Sequence, residues 1–158
     1  MLNIDMRTVY SIFAFVFLSC YCYSQNNRQS VMEHRYELIF YPTGSPKDIR
    51  YSIIINNDSI IAKNHCSKNY NKRNYYKGKV SVQQMEQLFS LYHGINTKPV
   101  INNHPSILDT WSVILIVDAE KVYKDDDFSF ESPPKDIAKM IQYLVELGVI
   151  KIKLYGFA

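Results

Sequence analysis

Glycine is scarce in this chain, and its five glycines stand apart at the ends of structural elements rather than together. That scatter excludes a glycine loop that cradles phosphate, and the G-x-S-x-G turn that presents a nucleophilic serine is absent too. Long hydrophobic runs are also missing. The most apolar stretch covers 9–18 and falls well short of the roughly 20 residues that cross a bilayer as a helix. No charge of one sign dominates: 18 Lys and Arg against 15 Asp and Glu give a formal net charge of +3, which says nothing about partners by itself. Cysteine is as thin, with only Cys20, Cys22 and Cys66. The four histidines, His34, His65, His93 and His104, never fall four residues from another His, Cys or acid, so no helix face offers paired metal ligands. The sequence therefore gives no reason to expect a metal or a cofactor.

What is present begins at the N-terminus. Arg7 precedes the apolar run, and Cys22-Tyr23-Ser24 before Gln25 supplies a small-x-small end. This is the layout of a secretory signal peptide over 1–24, with Met6 as an alternative start. A polar lead-in follows at 25–31, and 32–158 has the size of one domain. Cleavage before Gln25 leaves only Cys66. The rival processing is lipidation at Cys20, although Phe17-Leu18-Ser19 places the leucine one position too close for a lipobox; Cys22 would then be free to pair with Cys66. The 47% hydrophobic and 21% charged fractions are those of an ordinary globular chain that folds without staples.

Within the domain the periodicity switches between strand and helix. His34 to Tyr41 places Tyr36, Leu38 and Phe40 on one face and Glu37 and Ile39 on the other. Arg50 to Asn56, the Asn56-Asn57-Asp58 turn and Ser59 to Ala62 form a hairpin pattern. Ser81 with Gln84 is a capping box ahead of a helical stripe of Val82, Met85, Leu88, Phe89 and Tyr92, with Gly94 as its stop. A connecting loop is expected over 96–108. Trp111 to Val117 is apolar on both parities and reads as a central strand buried on both faces. Asp118-Ala119-Glu120 turns it back. Ser132 is the expected cap of a second helix, with Pro133, Pro134 and Asp136 in its first turn and Gly148 at its end. Its stripe is Ile137, Met140, Ile141, Leu144, Val145 and Leu147, and an alternating strand closes the chain at Val149 to Tyr155. The expected fold class is α+β: a single domain with an antiparallel sheet and two α-helices packed on one face.

Two groups of residues carry candidate chemistry. Asp118, Glu120, Asp125, Asp126, Asp127 and Glu131 gather where two carboxylates can act as acid and base, though acids at a turn and strand end are ordinarily solvated. Between Asp58 and Glu86 there is no acid, while Lys63, Lys68, Lys72, Arg73, Lys77 and Lys79 occur with Tyr70, Tyr75 and Tyr76 among them. Cations interleaved with aromatics suit anionic or protein surfaces. Export makes nucleic acid a poor partner and favours a protein or glycan. His65 beside Cys66 is adjacency without catalytic geometry, since neighbours in a strand point oppositely.

Taken in order, Tyr51-Ser52-Ile53-Ile54-Ile55 with its Asn-Asn-Asp turn, the capped helix at 81, Trp111-Ser112-Val113-Ile114-Leu115 and the Pro-led helix at 133 resemble a family of small secreted bacterial domains of unknown function. The resemblance covers about 50–156 and departs where the family has a glycine in the first hairpin turn. It implies export and an α+β fold, and it brings no catalytic residues. The expectation is an exported, non-enzymatic binding protein in the periplasm or at the cell surface, of the immunity or inhibitor type, with one protein partner such as a toxin. Tyr70, Lys72, Arg73, Tyr75, Tyr76, Asp125, Asp126 and Asp127 are its candidate partner-binding residues. The alternatives are a small secreted hydrolase using carboxylates near 118–131 and a lipid-anchored envelope component that touches the membrane through Cys20.

Overall fold

A computed structural model describes residues 15–19, 21, 33–43, 45, 47–65, 75–96, 98–102, 110–129 and 131–149. Seven strands follow one another: β1 (Arg35–Pro42), β2 (Tyr51–Asn56), β3 (Ser59–Asn64), β4 (Tyr75–Lys79), β5 (Val100–Asn102), β6 (Trp111–Val117) and β7 (Glu120–Asp125). Helix α1 (Val82–His93) lies between β4 and β5, and helix α2 (Lys135–Gly148) follows β7. The strands form one sheet in the order β4-β3-β2-β1-β6-β7-β5.

The expectation of an antiparallel sheet under a two-helix layer is overturned. The sheet is mixed, because β5 runs parallel to β7, and it dominates the fold. The chain leaves β4 at one edge, passes through α1 and re-enters at the opposite edge, where β5 arrives alongside β7. Only three residues long and next to Pro99, β5 carries too little alternation to be read within the expected loop at 96–108. The helices do not share the sheet equally. α2 lies over β2 and β3, whereas α1 packs chiefly against α2 and sends Met85 and Leu88 into the core.

The hairpins follow their turn chemistry. Asn57 takes φ 54°, and Asp118 and Ala119 take φ 50° and 69°. Two successive left-handed residues match the twist of a tight hairpin, but a non-glycine there is strained by roughly 1–2 kcal/mol. The capping box of α1 is present in full: the Gln84 amide donates to Ser81 Oγ at 3.2 Å and the Ser81 amide to Gln84 Oε1 at 2.8 Å. Ser132 does not cap α2. Pro134 occupies that position without a side-chain bond, and the Ser132 hydroxyl serves Asp125 and the Ser129 carbonyl instead. Gly148 acts by closeness rather than as a stop. A Cβ there would lie 2.9 Å from Ile53 Cδ1 and 3.4 Å from the Ala62 Cβ, so its absence lets the last turn of α2 settle onto β2 and β3. Val149 then takes the left-handed cap at φ 54°. The rest of the expected closing strand lies outside the described residues.

The register places Leu38 opposite both Ile53 and Leu115, and Ile53 opposite Ala62. These residues, with Tyr36, Phe40, Ile55, Ile60, Val113 and Val117, face the helices and join Met85, Leu88, Ile137, Met140, Ile141 and Leu144 in one buried core. Each fully buried large side chain contributes about 1.5–3 kcal/mol. Residues 15–19 are helical but outside this core: Phe15, Phe17 and Leu18 are more than 60% exposed. No helix among the described residues is long and apolar enough to cross a membrane.

Candidate interaction surface

Strand side chains alternate, so burying one parity under the helices turns the other parity to the opposite face. On that second face the register brings five isoleucines together. Ile39 pairs with Ile114, Ile54 with Ile61, and Glu37 lies between Ile54 and Ile116. All five keep partial exposure, unlike the fully buried residues on the helix side. Trp111 to Val117 is therefore not buried on both faces: Val113, Leu115 and Val117 are closed off, Ile114 and Ile116 are not. Among the described residues neither helix lies over this surface.

One end of the face is closed by polar loops. The Thr43 hydroxyl meets the Ser112 hydroxyl at 2.8 Å and donates to the Asp126 carbonyl at 2.5 Å, to which the Thr110 hydroxyl donates at 3.0 Å. Tyr41 is buried beside them, its hydroxyl pKa raised first by that burial and then by the Asp126 carboxylate. Beyond this end the isoleucines run toward the β3–β4 edge. There Ile61 pairs with Lys77 and Lys63 with Tyr75, which is 43% exposed.

The charges on the face divide into paired and unpaired. Arg35 meets Glu37 at 3.2 Å, Lys124 meets Asp126 at 2.8 Å, and Lys79 meets Asp58 at 2.8 Å. The last contact, through its hydrogen bond and charge, lowers the Asp58 pKa and raises that of Lys79. Among the described residues Lys63 and Lys77 have no acid partner, and both are exposed. Nearby His65 hydrogen-bonds Ser52 at 3.2 Å; burial and then the Lys63 charge push its imidazole pKa down, so it favours the neutral form. The basic character of this edge belongs to the lysines.

A second feature lies at the far end of α1, on the helix side. His34 Nδ1 contacts Asp118 Oδ2 at 2.5 Å, and its ring packs 5.2 Å from Phe89 and 6.2 Å from Tyr92. Burial opposes the Asp118 charge, but the Arg35 amide and the His34 ring that bond it bring the carboxyl pKa below its ordinary value. Tyr36, beneath His34, is fully buried, and among the described residues its hydroxyl has no hydrogen-bond partner; burial, then Asp118 and Tyr92, raise its pKa and keep it protonated. A cleft of about 300 Å³ opens beside this cluster between Tyr92, His93, Ile95 and Pro99 on one side and Glu120, Lys121 and Val122 on the other.

The residues singled out from the sequence separate in the fold. Tyr75 is exposed on the isoleucine side of β4, whereas Tyr76 points the other way, half-buried against the core. Tyr70, Lys72, Arg73 and Cys20 lie outside the described residues. The three aspartates do not behave alike, and only one of them is the solvated loop acid that a strand end suggests. Asp125 is 4% exposed and accepts from the Tyr123 hydroxyl at 2.9 Å, the Ser132 hydroxyl at 3.1 Å and the Asp127 amide at 3.1 Å. It ties the end of β7 to the approach to α2. Asp126 is held by Lys124, and only Asp127 is exposed. The isoleucine face was the feature sequence reasoning missed. Its signal was present, in apolar residues on both parities of β2, β3 and β6, but one open face emerges only once the strands are placed in register. Comparison of the chain with family models, with curated proteins and with solved structures gives no match.

Proposed function

We propose that this chain is an exported interaction protein that acts by binding one protein partner through the isoleucine face of its sheet. The observation that carries the reading is the partly exposed band Ile39, Ile54, Ile61, Ile114 and Ile116, which spans four strands with neither α1 nor α2 over it among the described residues, while the opposite parity of the same strands is sealed. A contiguous apolar patch rimmed by polar residues is the usual mark of a protein interface. The N-terminal stretch supports export: its described apolar side chains, Phe15, Val16, Phe17 and Leu18, are exposed and outside the core, which fits a segment whose work is translocation. The resemblance to small secreted bacterial domains points the same way, and an inhibitor or immunity role is the form of binding that it suggests.

Fractionation and affinity capture test the reading together. Material from the cell envelope should begin at Gln25 by intact mass and should bring down one stoichiometric protein. Ile114→Asp should abolish capture, whereas Lys139→Glu, on the exposed side of α2, should leave it intact. Full-length chain confined to the cytosol, or capture indifferent to Ile114→Asp, would overturn the proposal.

A further inference from the structure

Resting on that reading, we infer that the partner presents an acidic surface with an apolar centre, and that it docks over the β3–β4 side of the open face. Ile54, Ile61, Lys63, Tyr75 and Lys77 centre the contact, whose apolar side extends across Ile39 to Ile114 and Ile116. The face is electrically lopsided. Toward β7 Lys124 is paired with Asp126 and Lys121, opposite Ile116, is the exposed cation, while at the centre of the face Arg35 neutralises Glu37. At the β3–β4 edge Lys63 and Lys77 flank Ile61 without an acid among the described residues, beside the exposed ring of Tyr75. Aliphatic centre, tyrosine and unpaired cations at one side form a surface complementary to acids flanking an apolar patch, and charge of that kind steers encounter and fixes orientation.

The other occupants fit the same residues less well. A bilayer would have to accept the Glu37 carboxylate, which sits in the middle of the isoleucines with 21% of its side chain exposed. A second copy of this chain fits Lys63 and Lys77 poorly, because among the described residues the face's strand acids are already held, Glu37 by Arg35 and Asp126 by Lys124, and Asp58 beside it by Lys79. An added strand along the edge would meet Lys77 and Lys79 there, and lysines on an edge strand discourage strand addition.

Photo-crosslinking in the producing cell tests this with the full chain. A photoreactive phenylalanine replaces Ile61 or Ile116 on the face, or Gln142 on α2 as a control. The expected result is one protein adduct from 61 and 116 and none from 142. Lys63→Glu combined with Lys77→Glu should cut adduct yield about tenfold or more, while Lys139→Glu leaves it unchanged. The adducted protein, identified by mass and purified, should then bind the chain with an affinity that falls steeply as salt rises. Adduct that survives the double charge reversal, or binding indifferent to salt, would overturn the acidic partner while leaving the docking face standing. Adducts with lipid or with a second copy of this chain, or none from either face position, would overturn both. Circular dichroism checks that the double variant still folds, which its exposed positions lead one to expect.

Discussion

Ile53 and Ile54 are neighbours in β2 with opposite surroundings. Ile53 is fully buried under Gly148 of α2, while Ile54 turns to the other face and keeps part of its surface in water. The same contrast separates Leu115 from Ile114 and Ala62 from Ile61. Two parities of equally greasy strands thus do two jobs, one holding the domain together and the other held available. Residue type does not separate them, since isoleucine stands on both sides. What separates them is whether a helix lies above, and α2 has only one face to give.

The comparison breaks first under alanine. Ile53→Ala should destabilise the fold by about 3–4 kcal/mol, because it leaves a cavity between sheet and helix. Ile54→Ala should cost about 1 kcal/mol, in line with its partial burial. Urea unfolding of the two variants measures the difference. Equal losses would mean that the second face is sealed after all and that the docking reading has no surface to stand on.

A similar split runs through the aspartates. Removing the Asp125 carboxylate strips the acceptor from the Tyr123 and Ser132 hydroxyls and the Asp127 amide, so Asp125→Ala should cost about 3 kcal/mol. Asp127→Ala, on the exposed member of the run, should stay within about 0.5 kcal/mol. Thermal unfolding distinguishes them. From sequence these were three similar acids at a strand end. Asp125 becomes structural only because Tyr123 is two positions before it on the same strand and Ser132 folds back from the approach to α2. No local pattern announces that return.

How much was legible follows the range of the interaction. The strands β1 to β3, β6 and β7, the capping box at Ser81 and the stripe of α2 all rest on contacts within a few residues, and periodicity exposes those. The role of Ser132, the parallel edge at β5 and the one-sided cover of the sheet depend on partners tens of residues away. Ser132 carries a good cap residue's chemistry, yet its hydroxyl is drawn to a buried carboxylate that the local sequence does not reveal. Gly148 is the instructive middle case. Its position at the end of a helix was plain, but its reason is the closeness of Ile53. Gly148→Ala should therefore cost about 1 kcal/mol by overpacking, and the loss should shrink in an Ile53→Val background, where the Cδ1 atom 2.9 Å from the new methyl is gone. A double-mutant cycle that shows no coupling would mean that α2 rides higher over the sheet than this contact requires.

The smallest effect compares an ion pair on each side. His34–Asp118 lies on the helix side against Phe89, with 23% and 44% of the side chains exposed, and the Arg35 amide also binds the carboxylate; Arg35–Glu37 is on the open face. Because the folded pKa of Asp118 is lowered, its contribution is complete above its ordinary value of 3.8 and is lost as pH falls through the folded value. Solvent reaches this carboxylate, so the amount stays below about 1 kcal/mol. Stability measured from pH 7 down to about pH 2 should therefore decline less steeply at the acid end in Asp118→Asn than in the parent chain. An unchanged acid limb in Asp118→Asn would show that the first strand is anchored by packing of the His34 ring against α1, not by the charge beneath it.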